Sequence, residues 1–107
     1  MLWIWLDDLR PAPGGFTHVR NFRQFKALLE AEPHKTIAVM HFDHDLGLDE
    51  HGQMELDGYA IIKWLAENHL DRYPRVVRVH SDNGPGADNI RTYDRFIRRH
   101  FEPFPQP

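Results

Sequence analysis

The chain has no cysteine. That excludes a disulfide framework, a thiolate nucleophile and a thiolate zinc site, so any metal must rest on Asp, Glu or His, and a cytoplasmic address is the natural expectation. Long apolar runs are absent as well. The longest, Met1 to Leu6, falls far short of the roughly 20 residues of a membrane span and of the ~7–15 of a secretory core, so a soluble chain with no membrane partner is expected. There is no internal repeat and no low-complexity tract. A net charge of −3 is no basis for gripping duplex DNA, and none is expected as a partner. What is present, 107 residues of which 41% are hydrophobic and 27% charged, describes a single domain over residues 1–107 with a Pro-rich tail at 102–107.

Short apolar segments alternate with amphipathic ones. Leu2 to Leu6 reads as a buried strand ending on Asp7 and Asp8; Phe16 to Arg20, Thr36 to Phe42 and the run Val76-Val77-Arg78-Val79 read as three more. Asn21 caps a helix with Gln24 at the capping-box position and Phe22, Phe25, Leu28 and Leu29 as its apolar stripe. Asp57 and Gly58 open a second helix, with Ile61, Ile62, Leu65 and Ala66 facing inward, and Pro74 closes it. A third follows the turn Asn83-Gly84-Pro85-Gly86 and carries Ile90, Tyr93, Ile97 and Phe101 at helical spacing. The tryptophans and phenylalanines are assigned to core packing, and Arg91, Arg95, Arg98 and Arg99 to a solvated helix face. This order predicts an α/β fold with a mainly parallel sheet of about four strands. Residues 11–15, Pro- and Gly-rich, cannot supply a first crossover helix, and Pro103, Pro105 and Pro107 bar a further central strand. Arg75 and Arg78 on an edge strand discourage edge pairing and favour a monomer.

In open parallel sheets ligands bind beyond the carboxyl ends of the strands, where the strand order reverses. The residues at those ends are Asp7, Asp8, Asp43, His44, Asp45, His80 and Ser81. Carboxylates from two adjacent strands suit a hard cation such as Mg²⁺, because like charges so placed need one between them. An EF-hand is excluded: counted from Asp43, the sixth position is Leu48 and the twelfth Met54. No P-loop and no complete dinucleotide fingerprint occurs. The stretch from His80 through Ser81, Asn83, Gly84 and Gly86 places polar side chains before a glycine turn and a helix N-terminus, where amides favour a phosphate oxygen. Arg10 is close enough to the acid pair to meet an anion there, or to form a surface ion pair with Asp8.

An acid pair after the first strand, Asp43 after the third and Ser81 after the fourth resemble the receiver domains of two-component signalling. The motifs Leu6-Asp7-Asp8-Leu9-Arg10-Pro11, Asp43-His44-Asp45-Leu46-Gly47, Asp57-Gly58-Tyr59 and His80-Ser81-Asp82-Asn83 are similar to the divergent branch called cyclic-phosphate processing receiver domains. The resemblance implies a receiver-like, flavodoxin-like three-layer sandwich with a truncated sheet. The fifth strand of receivers and its lysine have no counterpart here. It further implies a metal-dependent phosphoesterase-like domain, a hydrolase of cyclic phosphodiesterase type, acting on cyclic phosphates of nucleotides or RNA ends. Asp7, Asp8 and Asp43 would hold Mg²⁺ or Mn²⁺, with Asp45 and His44 as further candidates. His80 would be the general acid or base, histidine being the side chain that titrates nearest neutrality. Arg10, Ser81, Asn83, Gly84 and Gly86 would hold the phosphate, and Asp43 offers a covalent alternative as the attacking group. The competing class is a non-enzymatic receiver-like signalling or cyclic-nucleotide-binding module.

Overall fold

β1 (Leu2–Leu6) alternates the buried Leu2, Ile4 and Leu6 with an exposed Trp3 and a half-buried Trp5. Residues 1–101 are described, in a computed structural model of the chain; the Pro-rich tail and its prolines lie outside the described residues. β1 pairs with β2 (Thr17–Val19) on one side and β3 (Ile37–Phe42) on the other, and β4 (Val76–Val79) completes an all-parallel sheet of order β2-β1-β3-β4. Partners in register point to the same face. Leu6, Val19, Phe42 and Val79 therefore form a row on one face; Trp5, His18, His41 and Arg78 form a row on the other.

α1 (Phe22–Ala31) follows β2, α2 (Gly58–Asn68) follows β3, and α3 (Gly84–Phe101) follows β4. The connections β2 to β3 and β3 to β4 run in the same direction across the sheet, so the right-handed crossover rule sends α1 and α2 to the same face. α3 packs beside α2, and Phe25, Leu29, Ile61, Ile62, Leu65, Ile90 and Ile97 share one core with Leu2, Ile4, Leu6, Met40 and Phe42. The expected α/β class and the four parallel strands are present. Instead of three layers, however, the described residues make two, because residues 7–16 run as a loop where a first crossover helix would cover the second face. Phe16 is what that loop leaves there, edge-on to Trp3, Trp5 and His41. Trp3 and Trp5 are thus not core residues as their spacing suggests.

The helix starts follow their caps. Asn21 accepts from the Gln24 amide and Asp57 from the Ala60 amide. Gln24 reaches back one residue further than a capping box requires, to the Arg20 amide. α2 stops at Asn68, ahead of Pro74, and a short 3-10 turn, Leu70–Arg72, fills the gap. α3 begins at Gly84, with Pro85 inside its first turn, where proline's missing N–H costs nothing. Arg98, assigned to a solvated face by its sequence, binds Asp94 and the carbonyls of Pro74 and Arg75, tying α3 to the approach of β4. No helix among the described residues is long and apolar enough to cross a membrane.

The two faces of β1 are expected to differ in energetic weight. Phe25→Ala, emptying a fully buried site of the helix-covered core, is expected to cost roughly 3–5 kcal/mol; Trp3→Ala, at a residue 47% exposed, less than about 1 kcal/mol. Urea denaturation of the two variants checks this, and equal losses would contradict the two-layer arrangement.

Candidate functional site

The sheet's hydrogen bonding runs one residue past each strand. The amide of Asp7 donates to Val19, that of Asp43 to Leu6 and that of His80 to Phe42. These bonds fix the three residues side by side at the carboxyl edge, where β1 and β3 adjoin and the strand order reverses. There a cavity of about 460 Å³ opens, lined by Asp7, Asp8, Arg10, Asp43, Asp45, Ser81, Asp82 and Asn83, with Leu9 and Gly47.

Asp7 is 1% exposed. Its Oδ1 accepts from the amides of Leu9 and Arg10, and its Oδ2 faces the Nε2 of His80 at 2.9 Å. Burial alone would push its carboxyl up, but the two amides and the imidazole outweigh it and hold it below the ordinary value. Asp43 goes the other way. Burial and then the charge of Asp7 raise its carboxyl, against a hydrogen bond from Ser81 and the influence of His80, with Asp8 adding to the rise. Oxygens of Asp7, Asp8 and Asp43 come within 4.8 Å of one another. Gly47 lets the following loop close on them: its φ is +75°, and a Cβ there would meet Asp8 Oδ2 at 2.8 Å.

Five carboxylates line this cavity against one guanidinium. Arg10 donates to the carbonyl of His80 and pairs with Asp82, so it does not neutralise the trio, nor does it pair with Asp8. The donor set of three clustered acids, one of them raised by burial and by the charge of Asp7, fits a hard divalent cation.

The other predicted residues fall differently. Asp45 lines the cavity and holds the Nδ1 of His44 at 2.8 Å, which together with Asn83 keeps its carboxyl below the ordinary value. His44 does not line it; its Nε2 lies 3.5 Å from Asp57, and its ring rests on Gly86, where a Cβ would come within 2.4 Å. Both its nitrogens thus face carboxylates outside the trio. Asn83 caps α3, accepting the Gly86 amide, and its own amide donates to the Ser81 hydroxyl. Gly84 and Gly86 belong to the first turn of α3 rather than to a loop, and neither lines the cavity. His80 is also absent from the lining. Its ring stacks on Trp5, centroids 3.9 Å apart and planes within 6°, and its Nδ1 is buried with no partner among the described residues. It stands behind Asp7, outside the residues that line the cavity.

Sequence reading passed over Asp82, the partner of Arg10, and Trp5, the support of His80. Asp82 follows Ser81 directly, and opposite charges at two strand ends were the available signal. Trp5 carries no comparable mark, because a tryptophan in an apolar strand reads as core.

A parallel sheet of this order, with an acidic cavity where β1 and β3 adjoin, defines a receiver-like domain of the flavodoxin-like α/β class. More narrowly, the family model of the cyclic-phosphate processing receiver domain matches residues 2–95, and the chain belongs to that family. No curated protein and no solved structure matches it.

Asp43 carries a charge that the metal-free fold disfavours. A raised folded-state pKa means that the wild type loses stability as pH rises through the carboxyl range and regains it as Asp43 protonates. Asp43→Asn is therefore expected to melt at a higher temperature than the wild type at pH 7 without divalent ions, the gap closing as pH falls toward 4. A lower melting temperature at pH 7 would refute the repulsion. Scanning calorimetry across pH decides it.

Proposed function

We infer that the domain opens cyclic phosphodiesters of nucleotides or RNA ends by metal-dependent hydrolysis. The observation that carries this reading is the trio of Asp7, Asp8 and Asp43 within 4.8 Å, in a cavity that also presents the Ser81 hydroxyl and Arg10. The trio would hold Mg²⁺ or Mn²⁺, which when bound supplies positive charge for a phosphoryl oxygen. Asp7, kept ionised by two amides and His80, would be one of its ligands.

The remaining groups bind the phosphate and set its orientation. Arg10, whose present partner Asp82 is 92% exposed, exchanges that surface pair for a phosphoryl oxygen at little cost. Ser81 offers its hydroxyl beside Asp43. The backbone amide of Asn83, the residue that caps α3, donates to the Ser81 hydroxyl and orients it. In the reaction a water oxygen bonds to phosphorus as one ring P–O bond breaks; the attacking water gives up its proton to solvent, and the departing alkoxide takes one from solvent, leaving a phosphomonoester. His80 enters as a positioning residue, acting through Asp7.

The test is ring opening itself. Purified protein with Mn²⁺ or Mg²⁺ and a panel of cyclic mononucleotides and cyclic-phosphate-ended RNA, followed by phosphorus NMR, is expected to yield monoester only with metal. Asp43→Asn is expected to lower the rate by about 100-fold or more. Tight binding with no ring opening would overturn the enzyme and leave a nucleotide-binding module.

The role of His80 has its own measurement. His80→Ala is expected to weaken Mn²⁺ binding by about 10- to 100-fold in calorimetry, as loss of a group that orients a ligand does. Unchanged Mn²⁺ affinity with a collapsed rate would return His80 to the part of general acid or base.

A further inference from the structure

The second face of the sheet carries no helix among the described residues: Phe16 lies across Trp3, Trp5 and His41, His80 stacks on Trp5, and Trp3 and Arg78 are left exposed. Across all four strands one row reads His18, Trp5, His41, Arg78. The next row sets Trp3 beside Val39 and Val76, with Phe16 packed edge-on to Trp3. No carboxylate stands at any of these positions. An exposed ring and an exposed guanidinium on a sheet face that no helix covers are the arrangement on which an unpaired base stacks while a basic side chain meets the backbone.

This face is continuous with the cavity. The Trp5 indole N–H donates to the carbonyl of Arg10, which lines the cavity, and the Trp5 ring stacks on His80, which bonds Asp7. From Asp7 back to Trp3 is four residues of β1, about 13 Å at strand rise, room for the two or three bases that such a sheet accommodates.

We propose, building on the reading of the cavity above, that this face is a base-stacking surface for single-stranded RNA whose cyclic-phosphate end enters the carboxylate cavity. The substrate class is then an RNA end rather than a free cyclic mononucleotide. A duplex is excluded by the need for exposed base faces. A second copy of the chain is disfavoured by charge, since it would set Arg78 against a like surface, whereas a polyanion complements it.

The experiment compares an eight-nucleotide single-stranded RNA ending in a 2′,3′-cyclic phosphate, the same RNA ending in a 3′-hydroxyl, and a 2′,3′-cyclic mononucleotide, by fluorescence titration with Mn²⁺. The cyclic-ended RNA is expected to bind at least 10-fold more tightly than the mononucleotide. Trp3→Ala and Arg78→Gln are each expected to weaken RNA binding at least five-fold, with melting temperatures reported for both. Phe96→Ala, removing an aromatic 48% exposed on α3, is expected to change it less than two-fold. Equal affinity for RNA and mononucleotide, or RNA binding indifferent to Trp3→Ala and Arg78→Gln, would overturn the proposal. So would a dimer in sedimentation that Trp3→Ala dissolves, which would assign the face to a second copy. If no cyclic phosphate is opened yet the 3′-hydroxyl RNA binds with the same dependence on Trp3 and Arg78, the face stands and the cavity reading alone falls.

Discussion

Asp7 is a carboxylate almost wholly removed from water, and an ionised group so placed is tolerated only when its oxygens are matched by donors. The donors come from two directions: the amides of Leu9 and Arg10 immediately downstream, and the ring of His80 from the far end of the chain. Satisfying Asp7 therefore shapes everything around it. The chain must turn sharply after β1, which carries Arg10 to the cavity rim. It must also bring β4 close enough for His80 to reach across, and Trp5 holds that imidazole flat. Asp43, half-buried at the end of β3, sits beside that charge, and burial first and Asp7 second raise its carboxyl.

Charge is divided between two surfaces. The cavity concentrates acids at the carboxyl edge, while the helix-free face carries rings, imidazoles and Arg78, with no acid at its described strand positions. A mild net charge of −3 hides both. The separation follows from the sheet: loops beyond the strand ends collect the acids, and alternation along the strands delivers the rings. Only the helix-covered side of each strand is needed to build a core.

Much of this was legible in the chain. The acids stand at the ends of apolar runs, so their convergence followed from the alternation of strands and helices, and Asn21 and Asp57 marked helix starts by their own chemistry. The layering was not legible, because β1 is apolar on both sides and the period-two signal that separates a covered face from an open one is lost when the open side carries tryptophan. The start of α3 was obscured by Gly84, Pro85 and Gly86, which punctuate a chain in most settings but fit a first helical turn. Gly86 is there because the His44 ring leaves no space for a Cβ, a tertiary demand with no local trace. The placement of His80 depended on which way one ring turns, and that was decided by Trp5 and Asp7, more than 70 positions away in sequence.

β1 lies inside the sheet, between β2 and β3, while the walls of the cavity are contributed by residues from Asp7 to Asn83. The sheet can close from its middle outward, but the cavity exists only after β4 has docked and residues 81–83 stand against Asp43. β4 is an edge strand of four residues, none of them fully buried. Its release is a smaller opening than the loss of the core around Phe25 and Phe42. The molecule can thus lose its site by local fraying while most of its secondary structure persists, so that the temperature range over which it is competent is narrower than the range over which it is folded.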